Sequence, residues 1–350
     1  MKGRNSLFCR LGNENMLDRL LSKPSRRPAS VTLVLAGGLI AASAEGARLL
    51  FRNLNLFMPS RKPASSWDPT DYGIDASRVS QIEFESADGH ILHGWYCRSA
   101  APVASLLFCH GNKGNMTDSA PAIPALLEAG LNIFSFDYRG YGRSSGLPTV
   151  GGLIEDAISA AEQHEKLRPR DIPSILYGYS LGGAVALQLS HRWHFDGLVL
   201  QSTFTNLRDM ARHRYPSTPI HRVAGGELDS VDAISRAELP TVVVHGTHDK
   251  TVPSWMAHKL FEASARGREL VLVDGGAHTN LFAIDSARVV DSIRRLALRI
   301  RAEVEAPAHK GALPARVNYP VRRGFRRLLR ALRNGDAEKT APPDPATETS

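Results

Sequence analysis

Cysteine is scarce in this chain: three in 350 residues, at Cys9, Cys97 and Cys109. So few, so widely spaced, exclude a disulfide-knit scaffold, and no Cys/His spacing of the zinc type is present. Aromatic residues make up only 7% of the chain. The N-terminal apolar stretch, Ala29 to Ala44, has 16 residues, short of the roughly 20 that a bilayer crossing takes. Basic charge is lacking where a nucleic-acid binder needs it. The net charge is +8, but residues 1–27 hold seven Lys or Arg against Glu14 and Asp18, and residues 316–333 hold seven Arg and no acid. The remaining chain is therefore at −4, a mildly acidic body, which excludes duplex recognition by a basic face. What the chain does have is 43% hydrophobic and 22% charged residues, enough for one large buried core.

The pattern along the chain divides it. Residues 1–28 are a basic segment. Residues 29–57 read as a membrane anchor or export signal with an interfacial continuation, Arg48 and Arg52 snorkelling. Ala42-Ser43-Ala44 also has the small-x-small form of a cleavage site. The uncleaved anchor is the favoured reading, single-pass, with the N-terminus in the cytoplasm and the folded domain outside. Residues 58–73, rich in Pro, Ser and Asp, read as a linker onto a domain spanning 74–302. That domain opens with an alternating hairpin, Val79–Glu85 and Ile91–Arg98. Short apolar strands then follow at Ala104–Cys109, Asn132–Phe136, Ile175–Tyr179, Leu198–Leu200, Val242–Val244 and Leu270–Val273. Helix-like stretches lie at 117–128, 152–166, 181–191, 256–264 and 286–302. Fully apolar strands alternating with helices predict an α/β fold, a mostly parallel sheet covered on both faces. Residues 203–239 interrupt the alternation as a small helical cap. Residues 303–335 comprise a linker and a basic amphipathic helix at 322–333, its stripe Phe325, Leu328, Leu329 and Leu332, which offers a second membrane contact. Residues 336–350 read as a disordered tail.

The sharpest chemical signal is Gly178-Tyr179-Ser180-Leu181-Gly182-Gly183. It stands where an apolar strand runs into a helix. A serine in that tight turn needs small neighbours, and the turn lifts its hydroxyl above the sheet, at the positive end of the helix. A plain N-cap serine would account for the turn but not for the flanking glycines. Such a nucleophile needs a base and an orienting acid, at the C-terminal ends of later strands and in the order acid, then histidine. Asp249 follows the 242–244 strand and His278 follows the 270–273 strand. Asp274, four residues before His278, is the rival acid and reads better as a loop cap. His245 reads as a buried or loop-pinning histidine, and His248 as pointing away from the site. Oxyanion donors are expected from the backbone N–H of Leu181 and from that of Asn112, in the loop His110-Gly111-Asn112-Lys113-Gly114-Asn115. The Asn112 side chain is expected to tie that loop together. Lys113 reads as a solvated rim lysine, and Cys109 as a packing residue.

The assembly resembles the alpha/beta-hydrolase superfamily over roughly residues 46–300. The branch is that of membrane-anchored serine hydrolases related to the abhydrolase-domain proteins, themselves similar to dienelactone hydrolases and prolyl oligopeptidases. The matching motifs are Leu54-Phe57-Met58-Pro59-Ser60-Arg61, the His110–Asn115 loop, and Asp137-Tyr138-Arg139-Gly140-Tyr141-Gly142 with Ser144 and Gly146. The Ser180 elbow and the cap entry Thr203–Ala211 match as well. Thr149-Val150-Gly151-Gly152 departs from the glutamates common in that place. The resemblance implies a serine hydrolase with Ser180, Asp249 and His278 as triad and no metal or organic cofactor. Its substrate would be a small or medium acyl compound, an ester or thioester. The competing readings are an idle hydrolase-fold scaffold on the membrane and a peptidase, lyase or haloperoxidase-like activity on the same triad. The residue pattern carries no signal for oligomeric state.

Overall fold

The computed structural model describes residues 56–222, 226 and 228–305. Its centre is an eight-stranded sheet. In chain order the strands are β1 Val79–Glu85, β2 Ile91–Cys97, β3 Ala104–Cys109, β4 Leu131–Phe136, β5 Ser174–Tyr179, β6 Gly197–Gln201, β7 Thr241–Gly246 and β8 Gly267–Val273. In space they lie in the order β1-β2-β4-β3-β5-β6-β7-β8. Only β2 runs against its neighbours, pairing antiparallel with both β1 and β4. The apolar strands read from the sequence are the central ones: β3, β4, β6 and β7 are buried at every residue. β1, at the edge, alternates in exposure as its sequence does.

Seven α-helices are described: α1 Ile123–Glu128, α2 Val150–Leu167, α3 Leu181–Ser190, α4 Leu207–Arg214, α5 Ser230–Arg236, α6 Trp255–Ala263 and α7 Leu281–Glu305. One sheet face is covered by α2, α3, α5 and α6 through Ala157, Ala161, Leu187, Ile234, Met256 and Leu260. The other is covered by α1 and α7 through Ile123, Leu126, Ile293, Leu296 and Ile300. Thus the helix after β3 and the helix after β5 lie on opposite faces, although the strands are neighbours. Diverging connections of that kind open a crevice beyond the C-terminal strand ends, where open α/β sheets bind ligands.

Several sequence expectations change. The helix expected over 117–128 is a 3₁₀ turn, Met116–Ala122, followed by α1, because Pro121 and Pro124 each lack an N–H to donate. α7 starts five residues before the expected 286 and kinks at Asp285. The segment 58–73 is a docked strap rather than a loose linker: Met58–Pro59 pairs in parallel with Lys113–Gly114, and Tyr72 packs on Trp95. Leu56 and Phe57, the end of the expected interfacial stretch, are buried in the core instead. Among the described residues no helix is long and apolar enough to cross a membrane. The apolar stretch 29–44, the basic helix 322–333 and the tail 336–350 lie outside the described residues.

One buried group makes the fold sensitive to acid. His164 of α2 is sealed against Phe134, its Nε2 2.8 Å from Ser105 Oγ on β3. Burial, with the charge of Arg168 adding to it, pushes its pKa down from 6.5 to about 3. Between those values the unfolded chain holds a proton that the folded chain refuses. Stability is therefore full above about 6.5 and is lost as the pH falls toward 3. Burial moves two neighbouring groups in opposite senses, His110 down to about 4 and Asp137 up to about 7, and their contributions nearly cancel in this window. Urea unfolding between pH 4.5 and 6.5 is thus expected to show a slope that His164→Asn reduces by about 1 kcal/mol per pH unit, most at the acid end. An equal slope in the variant would place the acid sensitivity elsewhere.

Candidate active site

Ser180 sits between β5 and α3 with φ 53° and ψ −118°. A non-glycine residue in that region is strained, and here its surroundings hold it there. Its N–H donates to the Gln201 carbonyl at 2.8 Å. The glycines follow from sterics. A Cβ at Gly178 would run into the Gly183 backbone, one at Gly182 into the Cys109 and His110 carbonyls, and one at Gly183 into the Thr203 side chain. Close seating of α3 against β3 and β6 therefore forbids side chains at these three places. The Ser180 side chain makes no helix-capping bond. Its Oγ instead lies 3.0 Å from His278 Nε2.

His278 follows β8, and its Nδ1 lies 2.7 Å from Asp249 Oδ2. Asp249 follows β7 and is wholly enclosed at its side chain. Its Oδ1 accepts the N–H groups of Thr251 and Val252, both at 2.8 Å. Burial alone would raise its pKa. The hydrogen bonds from His245 and His278, the charge of His278 and the Val252 N–H outweigh burial, and hold it well below the usual carboxylate range. His245 is buried as expected, its Nε2 2.8 Å from the Val252 carbonyl oxygen. It also lies 3.3 Å from Asp249 Oδ2, so the acid has two imidazole neighbours. That second contact was not read from the sequence. The signal for it is the i,i+4 spacing across a strand-end turn. His248 is exposed, and Asp274 accepts from Thr247 Oγ1 at 3.1 Å, so the rival acid serves its own loop.

The loop after β3 passes beside the serine: a Cβ on Gly111 would stand 3.5 Å from Ser180 Cβ. Leu181 is the first residue of α3, where N–H groups lack intrahelical partners. Asn112 is half-buried. The side chain that ties this loop is Asn115, not Asn112. Asn115 Oδ1 accepts from Thr117 N–H, and its Nδ2 donates to the Ser60 and Lys62 carbonyls. Lys113 is exposed on the rim. Cys109 is buried, and burial pushes its thiol up to about 12, away from nucleophilic use. Asp137 accepts the Met116 N–H at 2.7 Å, and Arg139 is held by Asp156 and Asp88. Both pin loops. Among the described residues no cluster of His, Cys, Asp and Glu could hold a metal ion.

An eight-stranded sheet in this order, with a strained serine after β5 hydrogen-bonded to a histidine after β8, defines an alpha/beta-hydrolase, and the chain belongs to that superfamily. The family described as serine aminopeptidase, S33, matches residues 100–231. The uncharacterized protein Rv2307c of Mycobacterium tuberculosis is 33% identical over 270 residues, covering 76% of this chain and 92% of its own. The human alpha/beta hydrolase domain-containing protein 17B is 32% identical over 183 residues, 51% of this chain and 61% of that one. In fold, the chain is similar to the Pyrococcus furiosus esterase Pf2001, with a TM-score of 0.58 at 18% identity, over 70% of this chain and 98% of that one.

Proposed function

We propose that this protein is a serine hydrolase that cleaves a carboxylic ester or thioester through an acyl-enzyme. The observation that carries the reading is the hydrogen-bonded series Asp249–His278–Ser180, each member at the end of a different strand. A carboxylate on Nδ1 favours the tautomer with its proton there, which leaves Nε2 free to accept the serine proton. Ser180 Oγ attacks the carbonyl carbon as His278 Nε2 takes its proton. The tetrahedral oxyanion is met by the N–H groups of Leu181 and Asn112. Collapse breaks the bond to the alkoxide or thiolate, which leaves with the proton from His278. Water, deprotonated by the same nitrogen, then releases the acid and restores Ser180. Every proton transfer uses a group that the chain itself supplies.

The cap of α4, α5 and the turn between them is small, which favours short or medium acyl groups. The similarity in fold to an esterase is in keeping with an ester bond. The deciding experiment is a chain-length series of p-nitrophenyl esters beside acyl-thioesters and a p-nitroanilide, with fluorophosphonate labelling of the wild-type chain. Labelling together with ester or thioester turnover at least about a hundredfold above anilide turnover is expected. Absence of labelling, or equal anilide turnover, would refute the ester reading.

A further inference from the structure

The sequence motif that the proposed chemistry leaves unused is Leu56-Phe57-Met58-Pro59-Ser60-Arg61-Lys62. In the structure this strap is sewn between two loops at the mouth of the site. Met58 N–H donates to the Asn112 carbonyl at 2.9 Å, and Ser60 N–H to the Gly114 carbonyl at 2.8 Å. Asn115 Nδ2 grips the Ser60 and Lys62 carbonyls at 3.2 and 2.7 Å. On its other side, Gly142 N–H donates to the Ser60 carbonyl at 2.9 Å, and the Arg61 guanidinium donates to the carbonyls of Ser144 and Gly146. Leu56 and Phe57 seat the strap in the core, whereas the Met58 side chain is 52% exposed and packs little.

These bonds converge on one residue. The peptide between Gly111 and Asn112 carries the Asn112 N–H, and its carbonyl is bonded to His110 Nδ1 at 2.8 Å. A carbonyl can only accept, so Nδ1 holds the proton, and the trans peptide directs the Asn112 N–H the opposite way. The next peptide plane is fixed at its carbonyl by Met58 N–H and by Tyr141 Oη, each at 2.9 Å. The plane that carries the N–H is thus set by His110 of the same loop, and the plane after it is set from outside the loop, by the strap and Tyr141. We propose that the strap 56–62 is a positioning element for the oxyanion hole, fixing the Asn112 N–H on the developing charge through the Met58 and Asn115 bonds. This proposal rests on the serine hydrolase reading above. It assigns to the strap a part in kcat that mere packing would not have.

The test uses the full chain. Met58→Pro removes the N–H, together with a side chain that is half in solvent, and fixes φ at this residue. Asn115→Asp keeps the oxygen that caps Thr117 but turns a carboxylate toward the Ser60 and Lys62 carbonyls. In each variant kcat for a p-nitrophenyl ester is expected to fall about tenfold with KM within about twofold, since misplacing a transition-state donor leaves substrate binding alone. Affinity for a trifluoromethyl ketone, which adds Ser180 Oγ to form an oxyanion, falls in the same proportion. Met58→Ala restores the N–H and with it the kcat. Amide hydrogen exchange of residues 110–116 speeds up in Met58→Pro and reports the hold without reference to activity. A kcat within twofold of wild type in both variants overturns the proposal, as does Met58→Ala behaving like Met58→Pro. Unchanged exchange in the loop overturns it too. If the wild-type chain turns over no ester while loop exchange still accelerates, the catalytic reading fails and the hold itself stands. Should Met58→Pro not fold, Asn115→Asp decides alone by the same ratio of kcat to KM.

Discussion

Ser180→Ala is expected to remove ester turnover by at least about a thousandfold while leaving the fold intact, because in the proposed mechanism the hydroxyl is the attacking group, and it packs against nothing the core needs. The lost contact is a single hydrogen bond to His278 at 3.0 Å. The backbone holding it, with Ser180 N–H on the Gln201 carbonyl and Gly183 N–H on the Ser180 carbonyl, is untouched by the change. The melting temperature should therefore stay within a few degrees, and fluorophosphonate labelling should vanish. Ser180→Gly adds a physical control. Glycine adopts positive φ without strain, so this variant is expected to be equally inactive and at least as stable as Ser180→Ala. Retention of even a tenth of the wild-type rate in either variant would remove Ser180 from the chemistry.

Asp249→Asn is expected to lower kcat by about ten-thousandfold, since an amide in this place promotes the wrong histidine tautomer. The geometry makes the choice severe. Oδ1 is committed to the Thr251 and Val252 N–H groups, so an asparagine turns its NH₂ toward both His278 and His245. Two imidazoles that donate to the carboxylate would each face a donor instead. His278 can then accept at Nδ1 only by carrying its proton on Nε2, where it no longer serves as base. Asp274→Asn provides the contrast, because that carboxylate accepts from Thr247 Oγ1 on an exposed loop. Its kcat should remain within about twofold, surface loop substitutions of this kind being worth little. Steady-state kinetics on both variants decides, and the opposite ranking would move the orienting acid to Asp274.

How far the sequence could be read depended on the kind of interaction involved. β3, β4, β6 and β7 were legible because strands buried on both faces must be apolar throughout. β8 was read short: Gly267 and Glu269 pair with β7 around an irregularity at Arg268, and the side chains of Arg268 and Glu269 are polar and at least partly exposed at the sheet edge. Ser180, Asp249 and His278 were legible because the chain order of elbow, acid and base follows from strand ends in a parallel sheet. The strap was not, since its hold is made largely at backbone N–H and C=O groups and leaves no periodicity. The same holds for Asn115. Two asparagines three residues apart in one loop offer the same amide, and only the path of the strap shows which one grips it.

The sheet order also dictates when the site comes into being. The contact from Ser180 to His278 spans 98 positions of the chain, and α7, which covers the second face, ends at Glu305. Synthesis at about 5–20 residues per second therefore leaves a nascent chain holding its serine, but no base, for roughly ten seconds. For part of that interval, from the completion of β6 at Gln201 until β7 is made, β6 is an open edge, and throughout it Ser180 is an ordinary, unactivated alcohol. In the proposed mechanism the reactive centre is thus switched on by the last quarter of the domain to be made.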